Sequence, residues 1–172
     1  MLTRLGAEAR IVRTAAELAG IDALVLPGGE STTMSLGIER EELAEPLRDL
    51  IGDGTPVLAT CAGMIVLDRE HLGVLDLSTR RNAFGRQVRS FEADLEVEGV
   101  DGGPVRAVFI RAPWVEEAGA DVEVLAEVDG HPVAIRQGEV TAVAFHPELT
   151  DDARLHRWLV DAVEARRAKE LA

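Results

Sequence analysis

This sequence predicts a three-layer α/β domain with a mixed sheet and an antiparallel extension, on three observations. Two short apolar runs, Ala23-Leu24-Val25-Leu26 and Pro56-Val57-Leu58-Ala59-Thr60, are continuous rather than alternating, and an amphipathic helical pattern lies between them. Runs of that kind are parallel strands buried on both faces. The middle of the chain then alternates in short segments with turns between them, which is the pattern of hairpins, and a last amphipathic helix closes the chain. The 172 residues make a single domain of ordinary size, 1–172, and 47% of them are hydrophobic, enough for a core.

Taken in order, Ala9 to Val12 is a short apolar run and the first expected strand. The run ending at Leu26 is the second, stopped by Pro27-Gly28-Gly29. Ser31 is an expected N-cap for a helix that starts at Thr32. Leu43, Leu47, Leu50 and Ile51 fall at i, i+4, i+7 and i+8, the stripe of an amphipathic helix, and Gly52-Asp53-Gly54 ends it. The strand Pro56 to Thr60 follows. Arg86 to Val100 alternates, with Val88, Phe91, Ala93, Leu95 and Val97 partly in step. Val105 to Ile110, Val122 to Val128, Pro132 to Ile135 and Val140 to Phe145 follow as strands joined by short turns. Leu155, Leu159, Val160 and Val163 mark the last helix, which is expected to fray at Arg166-Arg167-Ala168-Lys169.

Composition narrows the function. With 31 acidic and 18 basic residues the formal net charge is −13. A field of that sign repels phosphate, so no nucleic-acid partner is expected. No apolar run reaches membrane-spanning length and no secretory signal is visible, so a soluble, cytoplasmic protein with no membrane contact is expected. The one cysteine, Cys61, cannot form an internal disulfide.

Cys61 stands where the strand Pro56–Thr60 gives way to a helical segment. A thiol attacks as thiolate, and a helix N-terminus both favours that form and offers N–H groups to a negative oxygen. Gly63 allows the tight turn of a nucleophile elbow. Cysteine is also a common buried small residue, and on this turn alone both readings stand. At the end of another strand lies Phe145-His146-Pro147-Glu148. Residues i and i+2 of an extended chain point the same way, so His146 and Glu148 can face one site. There His146 would take the thiol proton and Glu148 would fix its tautomer. His71 and His131 lie near turns and His156 in the polar part of a helix, so they are weaker candidates. Gly28-Gly29-Glu30-Ser31 is a glycine-rich loop between strand and helix, but Glu30 occupies the place of a phosphate and no P-loop lysine follows. An oxyanion hole from the N–H groups of Gly29 and Ala62 is expected instead, beside the plainer alternative of a helix-capping turn.

Together these segments resemble a class I glutamine amidotransferase, a flavodoxin-like domain. The branch they resemble is the glutaminase subunit of pyridoxal 5'-phosphate (PLP) synthase. The resemblance is carried by Leu26-Pro27-Gly28-Gly29-Glu30-Ser31-Thr32-Thr33-Met34 and by Thr60-Cys61-Ala62-Gly63-Met64. It is sharpened by Arg81-Asn82-Ala83-Phe84-Gly85-Arg86-Gln87, Ser90-Phe91-Glu92-Ala93-Asp94, Phe109-Ile110-Arg111-Ala112-Pro113 and Phe145-His146-Pro147-Glu148-Leu149-Thr150. It implies hydrolysis of L-glutamine, with Cys61 as nucleophile, His146 as base and acid, and Glu148 as its orienter. It further implies glutamine contacts from Gly29, Glu30, Ser31, Arg81, Ile110 and Arg111, and neither cofactor nor metal in this subunit. The implied partner is the PLP synthase subunit, a (β/α)8 barrel assembled into a dodecamer, with one glutaminase docked per synthase chain. Alternatives are another cysteine hydrolase of the same fold, such as a γ-glutamyl hydrolase or a DJ-1-like protein, or a non-catalytic regulatory subunit.

Two departures from that family are expected to matter. Its members begin with a parallel strand and a Gln-Gly turn, whereas this chain opens on Met1-Leu2-Thr3-Arg4-Leu5-Gly6, which resembles the end of the helix that follows. The connection Leu67-Asp68-Arg69-Glu70-His71-Leu72-Gly73 is also short. A chain truncated in this way is expected to be poorly stable and weakly active or inactive.

Overall fold

A five-stranded sheet organises the computed structural model, which describes residues 1–84 and 90–171. The strands are β1 (Leu24–Leu26), β2 (Val57–Thr60), β3 (Leu77–Arg80), β4 (Ser90–Leu95), β5 (Val105–Ile110), β6 (Trp114–Ala118), β7 (Glu123–Val128), β8 (His131–Gln137) and β9 (Val140–Val143). The helices are α1 (Ser31–Arg40), α2 (Ala44–Gly52), α3 (Ala62–Leu67) and α4 (Arg154–Glu170). The main sheet runs in the order β1-β2-β9-β8-β7. It is mixed: β1, β2 and β9 are parallel, while β8 and β7 continue it antiparallel. All four residues of β2 are buried. Since successive side chains point to opposite faces, both faces of that strand are covered, and α3 and α4 are the helices packed against it. The antiparallel extension consists of two ribbons, β3 with β6 and β4 with β5.

The core extends from the sheet into the extension. Phe109, 1% exposed, stacks on Phe91 with ring centroids 4.5 Å apart and meets Phe145 edge-on at 5.5 Å. Phe84 adds edge contacts to Phe91 and Trp114, and Trp114 stacks on His131 at 3.6 Å. These rings join the β4–β5 ribbon to the exit of β9. Arg154, at the start of α4, donates to the carbonyls of Asp101, Gly103 and Pro104 and so pins the β4–β5 turn to the helix.

Four sequence expectations of the fold need correction. Ala9 to Val12 forms no strand: Ile11 is 70% exposed, and the segment is held through the Arg10 guanidinium on the carbonyls of Glu17 and Ala19. With arginines at 10 and 13, only Val12 of the run is left to pack against the core. The cap of α1 is Glu30, not Ser31: its longer side chain reaches past the turn to accept from Thr32 N–H and Thr33 N–H. The last helix does not fray at Arg166, because Arg166 binds Glu170 and Thr55 while Arg167 binds Asp22. His156 is 5% exposed beside the buried Leu155 and Leu159, not on a polar face. The ribbon β3–β6 had no expected counterpart. Val88, with Gly85, Arg86 and Gln87, lies outside the described residues.

Replacing Phe109 by Ala removes the ring on which Phe91, Phe84 and Phe145 all rest. A loss of about 3–5 kcal/mol is expected in urea unfolding. A loss below about 1 kcal/mol would mean that the ribbon and the sheet do not share one core.

Candidate active site

The main sheet delivers its chemistry at the carboxyl ends of its parallel strands, the edge where open α/β sheets bind ligands. β1 leads into Gly28–Ser31, β2 into Cys61 and β9 into His146. The two ribbons add Arg81 after β3 and Ile110 and Arg111 at the end of β5. A cleft of about 220 Å³ is lined by Gly29, Glu30, Ser31, Cys61, Ala62, Ile65, Arg81, Asn82, Ile110, Arg111 and His146. Every residue expected to touch a ligand is in that lining, and Glu148 stands behind His146.

Cys61 is fixed by its backbone. Thr60 is in register with Val143, and Cys61 N–H donates to Val143 O at 2.7 Å, one rung beyond the end of β2. The chain then turns into α3 with Cys61 itself at φ +48°, in the left-handed region that non-glycine residues rarely occupy. Gly63 therefore serves differently from the sequence expectation. It does not take the turn; it lets α3 pack on β1, since a Cβ there would overlap Leu26 O. Asn82 and Arg111, at φ +49° and +45°, also line the cleft, so three of the five non-glycine residues with positive φ among those described meet at this site. Backbone strain concentrated in this way marks a functional site.

His146 enters from β9, with its N–H on Val108 O at 2.9 Å. Its Nδ1 lies 2.7 Å from Glu148 Oε1, with the short 3-10 turn Pro147–Leu149 holding the two in place. Its pKa is pushed up to about 9, first by a hydrogen bond with Cys61 and then by that with Glu148, against the opposing effect of burial. The ring is therefore an imidazolium at neutral pH. Because its folded pKa exceeds the ordinary 6.5, the stability this contributes is full below about 6.5 and is lost as pH rises through about 9. Burial is the largest single influence on Glu148 and raises its pKa, but the hydrogen bond from His146, a backbone hydrogen bond and the charges of His146 and His156 together outweigh it, and the net shift is downward. Gly28 makes the arrangement possible, because a Cβ there would overlap the His146 ring and lie 3.4 Å from Cys61 Cβ.

The rest of the lining divides into donors and charges. Among the described residues, the N–H groups of Gly29 and Ala62 have no hydrogen-bond partner. The Ser31 hydroxyl is buried and also unpartnered. Glu30 is held at about 2 by the N–H and hydroxyl of Thr33 and the N–H of Thr32, and it pairs with Arg81 at 3.1 Å. Cys61 Sγ lies 4.0 Å from Ile110 O. Asn82 and Ile65 are cleft residues with no sequence-level role. The Arg81-Asn82 motif was visible, but Asn82 gains its place only from the left-handed turn. No set of three His, Cys, Asp or Glu side chains among the described residues is arranged to hold a metal, and no helix is long and apolar enough to cross a membrane.

Known proteins resemble this chain over most of its length. The SNO glutamine amidotransferase family matches residues 1–165. A pyridoxal 5'-phosphate synthase subunit PdxT from Frankia alni is 57% identical over 173 residues, covering 95% of this chain and 87% of its own. Its counterpart from Streptomyces coelicolor is 56% identical over 173 residues, with 95% and 86% covered. A crystal structure of a glutamine amidotransferase superposes with a TM-score of 0.88 at 46% identity, over 95% of this chain and 90% of that one.

Replacing Gly28 by Ala is expected to cost about 1–3 kcal/mol of stability by overpacking, and to push the His146 ring off its position in a crystal structure of the variant. An undisplaced ring at full stability would contradict the packing described for Gly28.

Proposed function

Because this chain belongs to the SNO glutamine amidotransferase family, we propose that it hydrolyses L-glutamine to L-glutamate and ammonia and delivers the ammonia to a PLP synthase subunit. The observation that carries this reading is one cleft holding a cysteine on a left-handed strand–helix turn and an imidazole backed by a carboxylate at 2.7 Å.

In this mechanism Cys61, its thiol proton passed to His146, attacks the side-chain amide carbon of glutamine as the thiolate. The C=O electrons move onto oxygen, which sits against the N–H groups of Gly29 and Ala62. His146, protonated at neutral pH, gives its Nε2 proton to the amide nitrogen as the C–N bond breaks, and ammonia leaves. The product is a glutamyl thioester on Cys61. His146, now neutral, takes a proton from water as that water attacks the thioester, and glutamate departs with the sulfur restored. Glu148 keeps Nδ1 occupied throughout, so proton exchange is confined to Nε2. Glu30 and Arg81 carry the charges that complement the α-ammonium and α-carboxylate of glutamine.

Ammonia released into water at neutral pH is mostly ammonium, which is not a nucleophile. A biosynthetic glutaminase therefore serves a synthase that takes its ammonia directly, and relatives carrying the PdxT name are subunits of PLP synthase. In this reading the partner is a dodecameric barrel assembly with one glutaminase per synthase chain, and the complex works in the cytoplasm.

With the cognate synthase subunit present, Cys61→Ala is expected to abolish glutamine turnover while circular dichroism stays unchanged; retained turnover would refute the mechanism. The proton that leaves with ammonia comes from His146, so kcat/KM is expected to hold across neutral pH and to fall as pH rises through about 9. Glu148→Gln should move that alkaline limb to lower pH and cost roughly 10²–10⁴-fold in kcat. An alkaline limb that stays in place in Glu148→Gln would remove Glu148 from the relay.

A further inference from the structure

The carboxylate of Glu30 is fully occupied before any ligand arrives. Oε1 accepts from Thr32 N–H at 3.1 Å and from Arg81 Nη2 at 3.1 Å. Oε2 accepts from Thr33 N–H at 2.8 Å and from the Thr33 hydroxyl at 2.9 Å. Two carboxylate oxygens offer about four lone-pair sites, and four donors fill them. Arg81 is committed as well, since its Nη1 donates to the Thr32 hydroxyl at 3.3 Å. Both residues line the cleft that holds Cys61.

We propose that Glu30 and Arg81 form a latch across the amino-acid end of the cleft, and that the substrate's own α-ammonium opens it by taking the place of Arg81 on Glu30 Oε1. This rests on the glutaminase reading above. An incoming ammonium must displace one of the four donors. The two N–H donors belong to the cap of α1 and cannot leave without unwinding its first turn. The Thr33 hydroxyl sits on the same residue as one of them. Arg81 is the donor free to leave, because it comes from a separate segment and the two side chains of the pair are about half exposed. Once released, its guanidinium has two parallel N–H groups to offer the α-carboxylate. One ligand group thus frees the partner of the other. A ligand with both charges re-partners both members of the pair, whereas a ligand with only one must break the pair and leaves the other member without a partner.

The latch makes a prediction opposite in sign to that of two independent contacts. If Glu30 only bound ammonium, its loss would leave the affinity for a ligand without ammonium unchanged. If it also restrains Arg81, its loss improves that affinity. The test measures binding in the Cys61→Ala chain complexed with its synthase subunit, so that nothing is turned over. Three ligands are titrated: L-glutamine, glutaramate (which lacks the ammonium) and 4-aminobutanamide (which lacks the carboxylate). Glu30→Gln in that background should bind glutaramate about two- to fivefold more tightly, and Arg81→Met should bind 4-aminobutanamide more tightly by a similar factor, the range set by an exposed ion pair. Both variants should bind glutamine more weakly by at least about tenfold. Arg81→Met leaves all three cap donors on Glu30, so its result stands even if Glu30→Gln unwinds α1. If Cys61→Ala binds glutamine but 4-aminobutanamide gains nothing in Arg81→Met, the latch is wrong. Unchanged glutamine affinity in Arg81→Met would also overturn it, giving the carboxylate to Arg111, which forms no ion pair among the described residues and lines the same cleft. Failure of Cys61→Ala to bind glutamine at all would instead overturn the glutaminase reading.

Discussion

Between β2 and β9 runs a parallel ladder whose last rung is the bond from Cys61 N–H to Val143 O. That rung holds the sulfur-bearing turn beside a strand that exits, after Ala144 and Phe145, into His146. A parallel pair cannot be joined by a tight turn, so its two carboxyl ends bring together residues far apart in the chain. The remaining parts of the site depend on this pairing. β1 lies on the other side of β2 and adds the Gly28–Ser31 loop, whose first glycine leaves space for the imidazole. β5 holds the exit of β9 through Val108 O and supplies Ile110 and Arg111. Moving the ladder by one residue would turn β2 over and send its buried side chains to the wrong faces.

Charge in the cleft is arranged in two separate pairs. His146 with Glu148 sits at the reacting end, sheltered enough that the hydrogen bonds the ring gives to Cys61 and Glu148 overcome burial and hold it protonated. Glu30 with Arg81 sits at the other end, about half exposed, where an ion pair is weak and exchangeable. The difference in shelter suits the two tasks. A proton donor must keep its partner through the reaction, whereas a recognition pair must be able to trade partners. Glu30 is fixed as the cap of α1, and Cys61, Asn82 and Arg111, which line the same cleft, lie in the left-handed region.

Much of this was legible in the sequence, for physical reasons. β1 and β2 were visible because strands buried on both faces must be continuously apolar. Cys61 and His146 were visible because each sits directly after an apolar run, and Glu148 because it lies two residues beyond His146. The β3–β6 ribbon was not visible, since Ser78, Thr79, Glu116 and Glu117 give it no apolar signature and its pairing is non-local. A short polar side chain such as Ser31 is the usual helix cap, but here the longer Glu30 reaches the N–H groups from one residue earlier. His156 lies in a polar stretch of sequence, yet its position beside Leu155 places it inside. Asn82 and the burden carried by Gly28 depend on contacts between distant segments, which no local pattern reveals.

The claim that sulfur and imidazole form one unit is tested most directly by titrating the His146 ring by NMR in the wild-type chain and in Cys61→Ala. The account expects a pKa of about 9 in the wild type and a clear fall when the sulfur is removed, because the Cys61 hydrogen bond is the largest cause of the shift. A ring that titrates near the ordinary 6.5 in both proteins would show that the two strand ends do not bring Cys61 and His146 into contact, and the account would fail at its base.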